Sequence, residues 1–325
     1  SNPLLAEWET PYATPPFERI ELKDYEPAFD AAIAVQRAEI EAIVKNPAKP
    51  SFHNTIVALE RSGELLSRIE GLFYNLLEAD SNDEMQEIAQ RVQPKLTELS
   101  NDISLDPELF ARVKAVYEHP GRGLSAEDRR LLEKTYKSFA RNGAALPADK
   151  QELYRQYTTE LGEMTLKFGQ NSLAATNAFT LNITDPERVE ELPDFVKEGL
   201  AADAKARGEK GWTFTLKAPS YQAVTKYAAD RNLRKELYMA YNSRAVKGNG
   251  NDNRKVVDRI VELRRQRARL LGYDSYAAMA LDDRMAKKPE TVDAFLSELL
   301  EKALPAAKAD VKICLLYTSD AADDK

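Results

Sequence analysis

Apolar residues recur at spacings of three and four along most of the chain, the signature of amphipathic helices. Phe29, Ile33, Ile40 and Val44 stripe a helix predicted over 27–44. Phe52, Ile56, Leu59, Gly63, Leu66, Ile69, Phe73 and Leu77 keep the same step and predict a second helix running through Gly63. Ser81 and Glu84 have the spacing of a capping box, which gives two orphan amides reciprocal side-chain partners. It would open a helix with Met85, Ile88, Val92, Leu96, Leu99 and Ile103 in line, and Pro94 inside that stripe is expected to kink it. Asp106 before Pro107 reads as an N-cap followed by proline at the first helical position. Ser125 with Asp128 starts another helix, and Asn142-Gly143 ends it in a left-handed cap. From Pro147 a long stripe passes through Leu153, Tyr157, Leu161, Met164 and Phe168.

Two segments break the pattern. Phe179-Thr180-Leu181-Asn182-Ile183 and Trp212-Thr213-Phe214-Thr215-Leu216 alternate with period two and are rich in aromatic and β-branched residues. They predict a small two-stranded element near 179–183 and 212–217. A helix over 193–207 separates them and leaves their orientation open. Helices resume over 220–245, Lys247-Gly248-Asn249-Gly250-Asn251 is a loop, and Asp252 can cap a helix carrying Val256, Ile260 and Leu263 and ended by Gly272. Ser275 opens the next, and Pro289 starts the last, with Val292, Phe295, Leu296, Leu299 and Leu300. The opening residues 2–25 are rich in proline and bulky aromatics, which suggests a strap laid over a core. The fold class is therefore all-α, with one small β element. No fixed repeat argues for a solenoid, and no sharp linker divides the chain.

Composition narrows the function classes. A net charge of −7, from 46 Lys+Arg against 53 Asp+Glu, argues against nucleic acid and anionic membranes as partners. No run approaches the eighteen or so apolar residues of a membrane span. No signal peptide is visible behind Ser1, and cysteine poverty suits both cytoplasm and periplasm. The single cysteine, Cys314, allows no intrachain disulfide, and no histidine follows it as a catalytic partner. The two histidines, His53 and His119, lack a second histidine one turn away. His53 reads as a surface or capping residue at a helix start, and His119 as loop before Pro120. Gly248-Asn249-Gly250 lacks the strand and the Lys-Ser/Thr of a phosphate loop, and no Gly-x-Ser-x-Gly elbow is present. Arg264, Arg265, Arg267 and Arg269 read as a solvated helix face, with Asp258 and Glu262 near enough to pair. Composition and spacing thus describe a helical scaffold with no complete active site. No catalytic, cofactor-binding or metal-ligating residue is expected in this chain.

Several stretches, taken together, resemble one family. They are Asn2-Pro3-Leu4-Leu5, Trp8, Thr10-Pro11 and Pro15-Pro16-Phe17, then the run from Phe52-His53-Asn54-Thr55 to Glu60. Tyr136-Lys137-Ser138-Phe139 with Gly143-Ala144, Phe168-Gly169-Gln170-Asn171, and Pro219-Ser220-Tyr221 follow. Arg231-Asn232-Leu233-Arg234, Tyr238, Ala240-Tyr241, Leu270-Leu271-Gly272-Tyr273 and Met285-Ala286 complete them. Their order over residues 2–312 resembles the M3 family of zinc metallopeptidases, the thimet oligopeptidase-like group, and within it bacterial peptidyl-dipeptidase and oligopeptidase A. The resemblance implies the N-terminal helical half of a neurolysin-like fold, one wall of a deep channel that admits short peptides. It also implies a monomeric parent in which a His-Glu-x-x-His helix and a later Glu hold one zinc, the motif Glu acting as general base on the metal-bound water. That motif falls beyond the matched region, so no zinc ligand or base transfers to any position here. The expectation is a zinc peptidase of which this chain, residues 1–312, is an inactive part; the alternative is a non-catalytic helical scaffold or peptide-binding module. Residues 313–325 depart from the family pattern and resemble the conceptual translation of a sequencing adapter, and so read as a non-native tail.

Overall fold

The three- and four-residue stripes do fold as helices, and the computed structural model is 71% helical, well above the half that the stripes alone require. It describes residues 1–323, with side chains through residue 316; Asp324 and Lys325, the end of the predicted tail, lie outside the described residues. The chain divides into two units, residues 1–263 and 264–325, and the division falls within a helix, which is why no linker composition marks it.

The first unit begins with a strap only in part. Leu4 is fully buried, and Arg68 fastens the segment by donating to the carbonyls of Leu4 and Ala6 at 3.0 and 3.1 Å while stacking over Trp8 at 4.6 Å. Tyr12 and Phe17 face solvent instead. Tyr25 belongs to the first helix, α1 (Leu22–Val44), which starts five residues before the predicted position. Asp24 accepts the Glu21 N–H at 2.8 Å, and Pro27 in the second turn removes one donor without ending the helix.

The stripe over 52–77 is broken. Ser51 caps a single wide turn, Phe52–Val57, followed by α2 (Ala58–Arg61) and α3 (Glu64–Ala79). The break is at Gly63, whose φ of +75° turns its N–H onto the Glu39 carboxylate at 2.7 Å. A Cβ there would meet only the movable end of the Gln36 side chain, at 2.5 Å, so it is the positive φ rather than the space that calls for glycine. The next cap also differs from the predicted Ser81–Glu84 box. Asn82 accepts the Met85 N–H at 2.9 Å and opens α4 (Asp83–Ser104), while the Ser81 hydroxyl accepts from Gln86. α4 runs unbroken through Pro94. The caps at Asp106 and Ser125 open α5 (Pro107–Glu118) and α6 (Ala126–Arg141) as expected. Gly143, at φ +90°, ends α6 and lets the Ala144 N–H return to the Phe139 carbonyl at 3.1 Å.

α7 (Ala148–Asn177) spans 30 residues and continues well beyond Phe168. β1 (Thr180–Ile183) and β2 (Trp212–Thr215) are antiparallel, with Thr180 opposite Thr215 and Ile183 opposite Trp212. α8 (Asp194–Ala206) lies between them in sequence. α9 (Ala218–Tyr227) and α10 (Arg231–Asn242) are separated by Asp230, which caps α10 and receives Arg188 at 3.1 Å. α11 (Arg254–Leu270) follows the loop, with Asp252 accepting the Arg254 N–H. Four apolar clusters fill the unit: α1 with α3 and α4 around Phe29 and Phe73, α5 and α6 around Val113 and Phe139, the hairpin with α8 to α10 around Phe214 and Leu237, and a smaller one between α7 and α11 around Leu161 and Leu263. In the second unit Ser275 caps α12 (Tyr276–Leu281), accepting the Ala278 N–H at 3.0 Å, and α13 (Pro289–Asp323) passes through Pro305.

Asp102 ties three helices. Its two oxygens separately accept Arg37 of α1 at 2.7 Å and Arg155 of α7 at 2.6 Å. Partial burial pulls this carboxyl up, but the two guanidiniums outweigh it and hold it below the usual carboxylate range. A depressed native pKa contributes stability above the unfolded value near ~3.9, lost as pH falls through the native value. Because the side chain is a third exposed, solvent screening trims the contribution. Asp102→Asn is expected to cost about 1–2 kcal/mol at neutral pH. In urea unfolding at a series of pH values, that deficit should shrink towards zero below about pH 4.

Candidate functional site

The residue types that carry metal and nucleophilic chemistry are scattered. His53 is exposed in the wide turn Phe52–Val57, and His119 is exposed at the end of α5. Cys314 is exposed on α13. Among the described residues, no group of three or more His, Cys, Asp or Glu could hold a metal ion. The described residues therefore do not offer the ligand set of the zinc that the family resemblance implies. The arginine run on α11 departs from its expected role as a solvated face. Arg265 and Arg269 are exposed, but Arg264 and Arg267 are half-buried. Arg264 stacks 5.1 Å over Tyr276, and the Nε of Arg267 is buried without a hydrogen-bond partner.

A different cluster forms a concave polar feature of the first unit. It is a cleft of about 130 Å³ where the end of α7, the residues after β2, the end of α10 and the loop before α11 meet. Buried polar contacts fix that loop. Asn253 accepts from Asn171 of α7 at 2.9 Å and donates to the Phe168 carbonyl and the Ser172 hydroxyl at 3.0 and 3.1 Å. Glu160 of α7 receives Arg259 of α11 through two contacts of 2.5 Å. Within the loop, Asn249 accepts the Asn251 N–H, and Asp252 accepts the Gly248 N–H at 2.6 Å. Ala245 is held at φ +55°, a left-handed conformation that costs an L-residue about 1–2 kcal/mol. Its carbonyl accepts the Asn253 N–H at 2.7 Å, which offsets part of that cost.

Arg244 is the anchored group of the cleft. Its Nε donates to the Tyr241 carbonyl at 2.9 Å and its Nη1 to the Thr176 hydroxyl at 3.0 Å. The guanidinium lies 3.7 Å over the Tyr241 ring, which itself stacks on Tyr221 at 4.0 Å. The exposed Lys247 and Asn249 and the half-buried Asn251 line the cleft, as do the apolar Ala175, Phe179 and Leu216. Sequence reasoning treated 247–251 only as a loop. The signal it missed is long-range: Thr176 and Arg244 are 68 residues apart.

Comparison with known proteins adds what the geometry does not. Residues 224–323 match the profile of Peptidase family M3. The chain is 39% identical to dipeptidyl carboxypeptidase of Escherichia coli K12 over 316 residues, 95% of this chain and 46% of that protein. It is 30% identical to oligopeptidase A of Salmonella typhimurium over 96% of this chain and 46% of that protein. It is 32% identical to a probable cytosolic oligopeptidase A of Arabidopsis thaliana over 96% of this chain and 45% of that protein. The chain spans a little less than half the length of these relatives.

Proposed function

The chain belongs to peptidase family M3, and from that premise we propose that it is one part of a longer zinc-dependent enzyme that hydrolyses short peptides. The observation that carries the reading is 39% identity to a dipeptidyl carboxypeptidase along 95% of this chain. Within the parent, residues 1–312 form the helical N-terminal wall of a peptide channel. The zinc ligands and the general base belong to the remainder, because no described cluster here has the donors for a metal shell. The substrates are short peptides, cut by release of C-terminal dipeptides or internally. The parent is a monomer of the cytoplasm or periplasm; no helix among the described residues is long and apolar enough to cross a membrane. Residues 313–325 read as a non-native tail from their likeness to the translation of a sequencing adapter; the family match runs on to residue 323, and reading the genomic DNA past codon 312 tests the reading.

The test compares this chain with the parent expressed through its native continuation. The parent is expected to bind about one zinc and to cleave short peptides in a chelator-sensitive way. Residues 1–325 alone should do neither, because an incomplete ligand shell loses most of its affinity. Mass analysis of the products separates dipeptide release from internal cleavage. One tightly held zinc on this chain, with chelator-sensitive hydrolysis, would overturn the division of labour. A continued parent without hydrolysis would favour the scaffold alternative.

A further inference from the structure

The cleft at the end of α10 is lined both by hydrogen-bond donors and by apolar side chains, and the two together define a ligand. Arg244 is spent on only part of its donor capacity. Nε and Nη1 are satisfied by the Tyr241 carbonyl and the Thr176 hydroxyl, and Nη2 has no protein acceptor. Among the described residues, neither Arg244 nor Lys247 makes an ion pair, and no carboxylate lines the cleft. The nearby Asp252 is already held by Arg254 and the Gly248 N–H. A guanidinium fixed on a tyrosine face and clamped at two nitrogens loses little freedom on meeting a carboxylate, which is the geometry that favours tight recognition. Lys247 adds a second positive charge, and the side-chain N–H groups of Asn249 and Asn251 add neutral donors.

The apolar lining distinguishes among anions. A naked inorganic ion would leave Ala175, Phe179 and Leu216 uncovered, whereas a carboxylate carried on a small apolar group would cover them. A buried water needs about 10–15 Å³ measured in the same way, so about 130 Å³ accommodates a carboxylate together with the residue that bears it. The strain at Ala245 is the kind stored where a loop is held in a binding conformation.

We propose that this cleft binds the free C-terminal carboxylate of a short peptide ending in a small apolar residue, Arg244 and Lys247 receiving the carboxylate and the apolar lining receiving the side chain. The choice of a peptide rests on the peptide-processing reading above; the carboxylate chemistry does not.

The test titrates the full chain with Ala-Ala, with Ala-Ala-amide and with acetate, following the backbone amides of Gly248 and Asn249 in nitrogen–proton correlation spectra. Ala-Ala is expected to shift these amides saturably, and the amide to bind at least tenfold more weakly, because hydrogen bonds to a charged group are stronger than those to a neutral one. Arg244→Gln should weaken Ala-Ala about tenfold or more. Lys247→Gln, an exposed change with no packing consequence, should weaken it about two- to fivefold, and so keeps the test valid if Arg244→Gln unfolds the loop. Equal affinity for Ala-Ala and its amide, or amides that ignore Ala-Ala, overturns the proposal. Acetate binding as tightly as Ala-Ala overturns the peptide assignment in favour of free organic acids. A longer parent that hydrolyses peptides while these amides ignore Ala-Ala sinks this inference alone.

Discussion

Replacing Phe73 with Ala should lower the stability of the chain by about 3–5 kcal/mol, among the largest losses that one substitution outside the backbone-constrained glycines can produce. Phe73 is fully buried at the centre of the cluster formed by α1, α3 and α4. Three aromatic rings meet it edge-on: Tyr25 at 5.0 Å, Phe29 at 5.4 Å and Tyr74 at 5.2 Å. Truncation removes the transfer free energy of the ring, leaves a cavity among stiff neighbours, and forfeits contacts worth about 0.5–1.5 kcal/mol each beyond area burial. Close-packed interiors relax only partially around a truncated side chain, so the cavity is expected to persist. Against a net stability of about 5–15 kcal/mol, such a loss leaves much of the population unfolded at moderate urea. Phe73→Leu, which refills most of the volume, should cost appreciably less. Urea unfolding monitored by far-ultraviolet circular dichroism reads both, and a loss under about 1 kcal/mol for the alanine variant would mean that the cluster relaxes freely.

What the sequence made legible was whatever local chemistry decides. The caps at Asp106, Ser125 and Ser275 act where they were expected, because each offers an acceptor to amides within three residues. The two strands also fall where alternation put them, and their antiparallel register needed the structure because the connection contains a helix of its own. The break at Gly63 was hidden for a different reason. Leu59 and Leu66 are seven residues apart, so the apolar phase passes through the left-handed turn undisturbed. The choice of Asn82 over Ser81 was a contest between two competent caps one residue apart. Resemblance, confirmed by identity along the chain, supplied the family, which composition never could. The cleft was out of reach of any local pattern: Arg244 matters because Thr176 and the Tyr241 ring hold it, and because no carboxylate has been placed beside it.

The chain is expected to self-associate through α13, and disrupting one face of that helix should abolish the association. Phe295, Leu296, Leu299 and Leu300 were predicted to stripe this helix, and they do, but the stripe faces solvent. Their exposures are 60%, 55%, 48% and 62%. Each large apolar side chain left in water forgoes about 1.5–3 kcal/mol of burial, and a contiguous patch of them drives association. Relatives are more than twice as long as the segment matched here, so the parent has ample chain with which to cover this face. Removing two of the four apolar groups forfeits enough burial to weaken an interface by tenfold or more, since about 1.4 kcal/mol is a factor of ten. Leu296→Glu with Leu300→Lys does this and adds a favourable Glu–Lys pair four residues apart on the helix. Sedimentation velocity over a concentration series should show concentration-dependent oligomers for the unmodified chain and a monomer for the double variant. Deleting 313–325 should leave the oligomers in place, because the stripe lies before the tail. Restoring the native continuation should remove them, because the parent buries the same face within one chain. A clean monomer of the unmodified chain at every concentration would show that the exposed stripe does not attract a second copy, and the expectation would fail.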